Sequence, residues 1–271
     1  MKKVTRTIVL LLLAALMLFG VAGCGGSSAA PSATPSATPA PSATPTPEKT
    51  YIIYSDNAFA PFEYYDEATK QYVGVDMDIL AAVAEDQGFK YEVKNEGFDA
   101  SMGAVQSGQA DGMIAGMTIK PARLETFDFS DGYFEDGQIM VVAAKSKVTK
   151  LEDLKGLTVA AKTSTVGAEY AESVAAQYGF TIQYYDDSPT MYTAVINGNN
   201  AACFEDRSVV GWAIMEESLA LKTIGEVINP GSYGFAVKKG TNADLIAMFN
   251  AGLASIKKSG KYDEILAKYG Y

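Results

Sequence analysis

The sequence predicts an α/β protein of two similar lobes, each a mostly parallel sheet with helices packed on it. Two patterns carry that expectation. Short runs rich in β-branched and aromatic residues alternate with helical segments, the order that yields parallel strands joined by crossover helices. The alternation then starts a second time past residue 137. The roughly 220 residues that follow a Pro-rich stretch suffice for two small cores.

In the first series, residues 51–54 read as a strand and SDNAFAPF, over 55–62, as a turn. Gly74 and Val75 lead to Asp76, read as the N-cap of a helix that ends near Gly88. Residues 90–94 alternate as a strand does, Asp99 caps a short helix closed by Gly108, and 112–115 returns as a strand. The second series opens with a continuous apolar strand over 137–142. It continues through a strand over 157–161, a helix near 168–177, a strand over 181–185 and a helix near 190–196. A strand over 201–204 and a helix after Asp206 close it. A further strand, SYGFAV within 231–237, precedes two terminal helices over 243–257 and 262–268.

Lys2, Lys3 and Arg6 precede an apolar run over 8–21, the order of an export signal. The run is shorter than the ~20 residues a spanning helix needs. It ends in Val21-Ala22-Gly23-Cys24, which resembles a bacterial lipoprotein cleavage box. That resemblance implies removal of residues 1–23, acylation of Cys24 and anchoring on the extracytoplasmic side of a bacterial cell membrane. Residues 24–50 continue as a Pro, Ser, Thr and Ala linker with a recurring PSATP, too poor in apolar side chains to fold. In a polyproline-like form at ~3.1 Å per residue it reaches about 80 Å.

Composition removes several function classes. The chain carries 22 basic and 32 acidic residues, a net of −10, and losing Lys2, Lys3 and Arg6 with the signal makes it −13. Nucleic acid is therefore no expected partner. The absence of histidine excludes a Ser-His triad and any histidine-containing metal site, and no cofactor, metal or catalytic residue is expected. Cys24 and Cys203 are the two cysteines. Once Cys24 is acylated no intramolecular disulfide can form, and Cys203, inside an apolar run, reads as a core thiol.

Chemistry concentrates in AGMTIKPAR, Ala115 to Arg123. A planar guanidinium offers paired donors to a carboxylate, and the Gly116–Thr118 turn adds backbone groups and a hydroxyl. Upstream stands SDNAFAPFE, over 55–63, and downstream FDFSDGYF. In order and spacing these segments resemble the extracytoplasmic solute-binding proteins of polar amino acid ABC importers, family 3, with glutamine-binding members nearest; the resemblance covers 51–271.

That resemblance implies a two-lobed periplasmic-binding-protein type II fold with two crossover hinge strands near 136–140 and 229–233. Lobe 1 would then comprise 51–137 and 234–271, and lobe 2 residues 138–233. It assigns the ligand carboxylate to Arg123, with Thr118 and the Gly116 carbonyl beside it. Lys162 to Gly167, KTSTVG, opens a helix whose amides favour an anion, so Thr165 and Val166 join the carboxylate site. Family members usually carry glycine where Ser164 stands. Asp206 takes the ligand ammonium, with adjacent Glu205 as the alternative. Phe59 and Phe98 flank the side chain. Asp56 and Lys162 read its tip, a carboxylate for an amide NH2 and an ammonium for an amide carbonyl, which suits glutamine. Lys162 pairing directly with Asp56, or pointing to solvent, stays open.

The expected partners are a free L-amino acid, glutamine favoured, and the permease subunits of an ABC importer, with the protein a monomer and not an enzyme. Another polar or basic amino acid, or cystine, is the alternative ligand. A cyclic-acid dehydratase on the same scaffold is the alternative of a different class. Without an imidazole, ligand affinity is expected to be level from about pH 6 to 8 unless a carboxylate or amine is strongly shifted.

Overall fold

The structure, a computed structural model, describes residues 49–271; the export signal, Cys24 and all but the end of the linker lie outside the described residues. Residues 49 and 50, assigned to the linker, belong to the fold. Thr50 opens the first strand, and Lys49 pairs with Asp111 at 2.9 Å.

In chain order the strands are β1 (Thr50–Ser55), β2 (Ala58–Phe59), β3 (Glu63–Asp66), β4 (Gln71–Val73), β5 (Lys90–Asn95), β6 (Gly112–Met113) and β7 (Phe127–Phe129). They continue as β8 (Phe134–Ala143), β9 (Thr158–Lys162), β10 (Thr181–Tyr185), β11 (Ala202–Asp206), β12 (Leu221–Tyr233) and β13 (Ala236–Lys238). The helices are α1 (Val75–Gln87), α2 (Phe98–Ser107), α3 (Pro121–Leu124), α4 (Val166–Tyr178), α5 (Ser188–Ile196), α6 (Arg207–Met215), α7 (Ala243–Ser259) and α8 (Lys261–Lys268).

Two five-stranded sheets organise the two lobes. In the first, ordered β5-β1-β6-β13-β7, strands β5, β1 and β6 run parallel and β13 is antiparallel to both neighbours. In the second, ordered β10-β9-β11-β8-β12, strands β10, β9 and β11 run parallel, while β8 is antiparallel to both of its neighbours, β11 and β12. Ile53, Phe62, Ile79, Phe235 and Phe249 fill the first core; Val141, Ala160, Met191, Cys203 and Val210 fill the second. Cys203 is thus the buried thiol its neighbours suggested.

β8 and β12 pair from Phe134↔Tyr233 to Ala143↔Leu221, with irregularities between Ile224 and Gly231. This two-stranded ribbon contains both expected hinge segments. At its first-sheet end, Thr118 bridges Tyr233 and the Ile119 amide donates to the Ser232 carbonyl at 2.8 Å.

Four local expectations are corrected. SYGFAV is not one strand: β12 ends at Tyr233, Gly234 and Phe235 interrupt, and β13 joins the other sheet. Gly234 is pinned there, since a Cβ would come within 2.8 Å of the Ile119 side chain. The loop after Ser55 contains a small antiparallel sheet, β2-β3-β4, that its sequence did not announce. Asp76 does not cap α1, and Asp99 does not cap α2. Gly74 and Gly97 hold those positions, and both aspartates sit in the first turn with side chains aimed elsewhere.

Gly74 adopts φ 140°, and a Cβ there would lie 2.0 Å from the Phe62 carbonyl oxygen. Gly74→Ala is therefore expected to cost about 2 kcal/mol or more, read as a lowered urea midpoint; an unchanged midpoint contradicts this packing.

Candidate functional site

A narrow cleft lies where the carboxyl ends of both parallel sheets meet, the position in which open α/β sheets expose their loops. Every residue singled out in the sequence for ligand contact lines it: Asp56, Phe59, Phe98, Ala115, Gly116, Thr118, Arg123, Lys162, Thr165, Val166 and Asp206. Gly167 and Glu205 line it as well.

On the first-sheet side, Arg123 projects from α3, a single turn started by Pro121, and is 7% exposed. Its Nη1 donates to the Thr118 carbonyl at 2.9 Å and its Nη2 to the Ser164 carbonyl, across the cleft, at 3.0 Å. The guanidinium stands 5.4 Å from the Phe98 ring centroid. Burial pulls it down to about 10, against the opposing pull of Glu169 and Asp206, so it keeps its charge at neutral pH. Gly116 adopts φ 52°, and a Cβ would meet the Phe59 ring at 2.5 Å. Glycine is required there both for the backbone and for the close approach.

On the second-sheet side, Thr165 is the N-cap of α4: its hydroxyl accepts the Ala168 amide at 3.1 Å and donates to the Lys162 carbonyl at 2.7 Å. The hydroxyl is thus spent on the cap, and what Thr165 and Val166 offer the cleft is the amide end of a 13-residue helix. Ser164 has φ 63°, the conformation glycine adopts at least cost. Its hydroxyl is held by Asp99 from the opposite side. Gly167, whose importance was not drawn from the sequence, allows α4 to approach β11; a Cβ would lie 2.4 Å from the Phe204 carbonyl oxygen.

At one end of the cleft, Lys162 Nζ donates to Asp56 Oδ2 at 2.5 Å, with the two side chains 2% and 1% exposed. This resolves the choice left open: Lys162 faces inward and meets Asp56. The ammonium also lies 4.7 Å from the Phe59 ring centroid and 5.9 Å from that of Phe98. Burial lowers the lysine's proton affinity, but Asp56 and then Glu205 more than offset it, and the group ends above its ordinary value. Asp56 Oδ1 is fixed by the Asn57 amide at 2.7 Å.

Asp206 ends β11 and stands at the cap position of α6 without capping it, which leaves its carboxyl to the cleft. Its Oδ1 accepts from Gln138 Nε2, on β8, and its Oδ2 from the Tyr233 hydroxyl, on β12, at 2.6 Å. Burial, then Glu205 and Asp136, push it up to about 7. Glu205 accepts from the Ser188 hydroxyl at 2.7 Å and from the Asp206 amide at 2.9 Å, so both its oxygens are engaged. Among the described residues, no group of three or more His, Cys, Asp or Glu side chains is arranged to hold a metal.

Two α/β lobes joined by an antiparallel ribbon, with a charged cleft between the strand ends, define a binding protein of the periplasmic type II class. The family model for bacterial extracellular solute-binding proteins, family 3, matches residues 51–271, and the chain belongs to that family. It is 30% identical over 259 residues to a protein from Neisseria gonorrhoeae described as a probable histidine-binding protein, covering 94% of this chain and 91% of the relative. It is 30% identical over 200 residues to the ABC transporter glutamine-binding protein GlnH of Bacillus subtilis, covering 72% of each. Substrate binding domain 2 of Lactococcus lactis GlnP, solved in an open conformation, is 41% identical and covers 83% of this chain and 97% of its own, with a TM-score of 0.58. These names are those of binding proteins, and the chain is a receptor rather than an enzyme.

The Asp206 carboxyl is expected to titrate near pH 7 in ligand-stripped protein, against about 3.9 in an unfolded chain. Its contribution to stability is then full below about pH 4 and lost as pH rises through 7. Tyr233→Phe removes a donor that stabilises the carboxylate, so carbon-13 NMR should show the titration moving higher; a downward move contradicts the assignment.

Proposed function

We propose that the protein is an extracytoplasmic receptor for a free polar amino acid, with glutamine its preferred ligand, which it delivers to the permease of an ABC importer. The observation that carries the reading is the disposition of charge along one cleft. Arg123 and the amide end of α4 lie in the cleft with Asp206, and the opposed pair Asp56 and Lys162 lines it as well; on this reading the first two take the ligand carboxylate and Asp206 its ammonium. A neutral amide satisfies both members of that pair, its NH2 donating to Asp56 and its carbonyl accepting from Lys162. A guanidinium or ammonium tip would be repelled by Lys162, and a carboxylate tip by Asp56. The family, and relatives named for histidine and glutamine binding, support an amino acid as ligand.

Arg123 and Asp206 stand on opposite sides of the cleft, so a zwitterion held by both favours the closed arrangement. A ligand touching one side alone would leave that equilibrium where it was. On this reading residues 51–137 and 234–271 form one lobe and 138–233 the other, Cys24 carries the lipid anchor, and the protein works as a monomer.

Calorimetry on protein unfolded and refolded to remove ligand should give glutamine an affinity at least about tenfold above arginine and glutamate. Lys162→Ala should shift the preference toward arginine. Arginine binding more tightly to the wild type overturns the glutamine assignment. Because Asp206 must be ionised to hold the ammonium, affinity should fall roughly fivefold from pH 7 to pH 6. This replaces the level profile expected from the absence of histidine, and a flat profile would contradict the shifted carboxyl.

A further inference from the structure

Behind the Gly116 turn, on the side away from the cleft, two carboxyl groups meet inside the first core. Glu63 on β3 and Asp76 on α1 are fully shielded from solvent and lie within hydrogen-bonding reach of each other. Asp76 Oδ2 accepts the Gly116 amide at 2.8 Å and the Tyr133 hydroxyl at 2.7 Å. Asp76 Oδ1 and both oxygens of Glu63 receive no hydrogen bond from an N–H or hydroxyl of the described residues.

Two touching carboxylates in such surroundings are each desolvated and repelled by the other. One proton removes both problems. Carried by Glu63 and donated to Asp76 Oδ1, it neutralises one group and gives the facing oxygens a partner. We propose that Glu63 and Asp76 hold a single proton between them, and that this pair fixes the Gly116 amide and so supports the Gly116–Thr118 turn from behind. The turn is then gripped on two sides, by Asp76 at its amide and by the Phe59 ring at its α-carbon. Its role in ligand holding rests on the reading of the cleft given above.

The surroundings favour retention of the proton. Asp56, at the end of β1, adds a further negative charge; Lys162, from β9, opposes it but is already paired with Asp56. Tyr133, ahead of β8, is kept protonated by burial and by the two acids, so it remains a donor. Burial, then Asp76 and Asp56, hold Glu63 well above the usual carboxylate range. Burial pushes Asp76 up to about 7 against the donors Gly116, Tyr133 and Glu63.

The test compares wild type, Glu63→Gln and Glu63→Ala in the full mature protein. The glutamine side chain of E63Q donates an N–H to Asp76 with nothing to titrate, whereas E63A leaves Asp76 without that donor. At pH 8, where Asp76 and Asp206, both near 7, are largely ionised, the wild-type infrared spectrum should contain the carbonyl band of a buried protonated carboxylic acid in clear excess over that of E63Q. The wild-type melting temperature should fall from pH 7 to 10 more steeply than that of E63Q, since a raised acid contributes stability that is lost as pH rises through its folded value. With glutamine as probe at pH 7, E63Q should stay within about threefold of wild type and E63A should weaken on the order of tenfold or more. Equal acid bands in wild type and E63Q, or parallel pH profiles for the two, overturn the proposal. If the band and slope are present but no amino acid binds the wild type, the shared proton stands and its service to a ligand turn falls.

Discussion

A lysine ammonium and an aspartate carboxylate, 2% and 1% exposed, face each other between the two lobes at Lys162 and Asp56. Removing one partner of such a buried pair costs about 3–5 kcal/mol. This requirement holds the end of β9 against the end of β1 and thereby sets the width of the cleft. The remaining cross-cleft contacts follow from it: Arg123 to the Ser164 carbonyl, Ser164 to Asp99, and Lys120 to Glu169. The Lys162–Asp56 pair and both Ser164 contacts fall in one short segment, residues 162–164, at the start of the loop that leads into α4.

The acid opposite Arg123 is wired differently. Gln138 and Tyr233 belong to the two strands of the connecting ribbon, and each hydrogen-bonds one oxygen of Asp206. A change at Asp206 therefore reaches both strands of the ribbon through these two hydrogen bonds. Asp136 extends the arrangement, accepting from the Ser208 amide at 3.0 Å and the Gly137 amide at 2.8 Å. On the proposed reading, in which Asp206 takes the ligand ammonium and the ribbon is the hinge, recognition and hinge geometry share side chains, and binding one pole of a small molecule biases the position of a whole lobe.

Much of the lining of the candidate site was legible because its chemistry is local. AGMTIKPAR places a glycine, a threonine and an arginine on one turn, and KTSTVG starts a helix whose amides need no tertiary context to face an anion. Ser164 shows how local geometry persists under substitution, since its φ of 63° is that of the glycine its position resembles. What escaped was decided by contacts far along the chain. Nothing in SYGFAV says that Gly234 must break the strand; that follows from its packing on Ile119 and Phe129. Asp76 has the sequence of a helix cap, but Gly116 and Tyr133, 40 and 57 residues away, draw its side chain inward. Glu63, the residue after the expected turn, is fully buried beside Asp76, which its sequence neighbours do not announce. The absence of histidine likewise suggested an insensitive site, because burial of carboxyl groups cannot be read from composition.

Ligand grip from both lobes is the claim on which the functional account stands, and small-angle scattering measures it directly. Ligand-stripped wild type should contract on addition of saturating glutamine, while Arg123→Ala and Asp206→Ala, each lacking one half of the grip, should keep their dimensions under the same conditions. Normal contraction in both variants would show that closure does not depend on holding the two poles of the ligand.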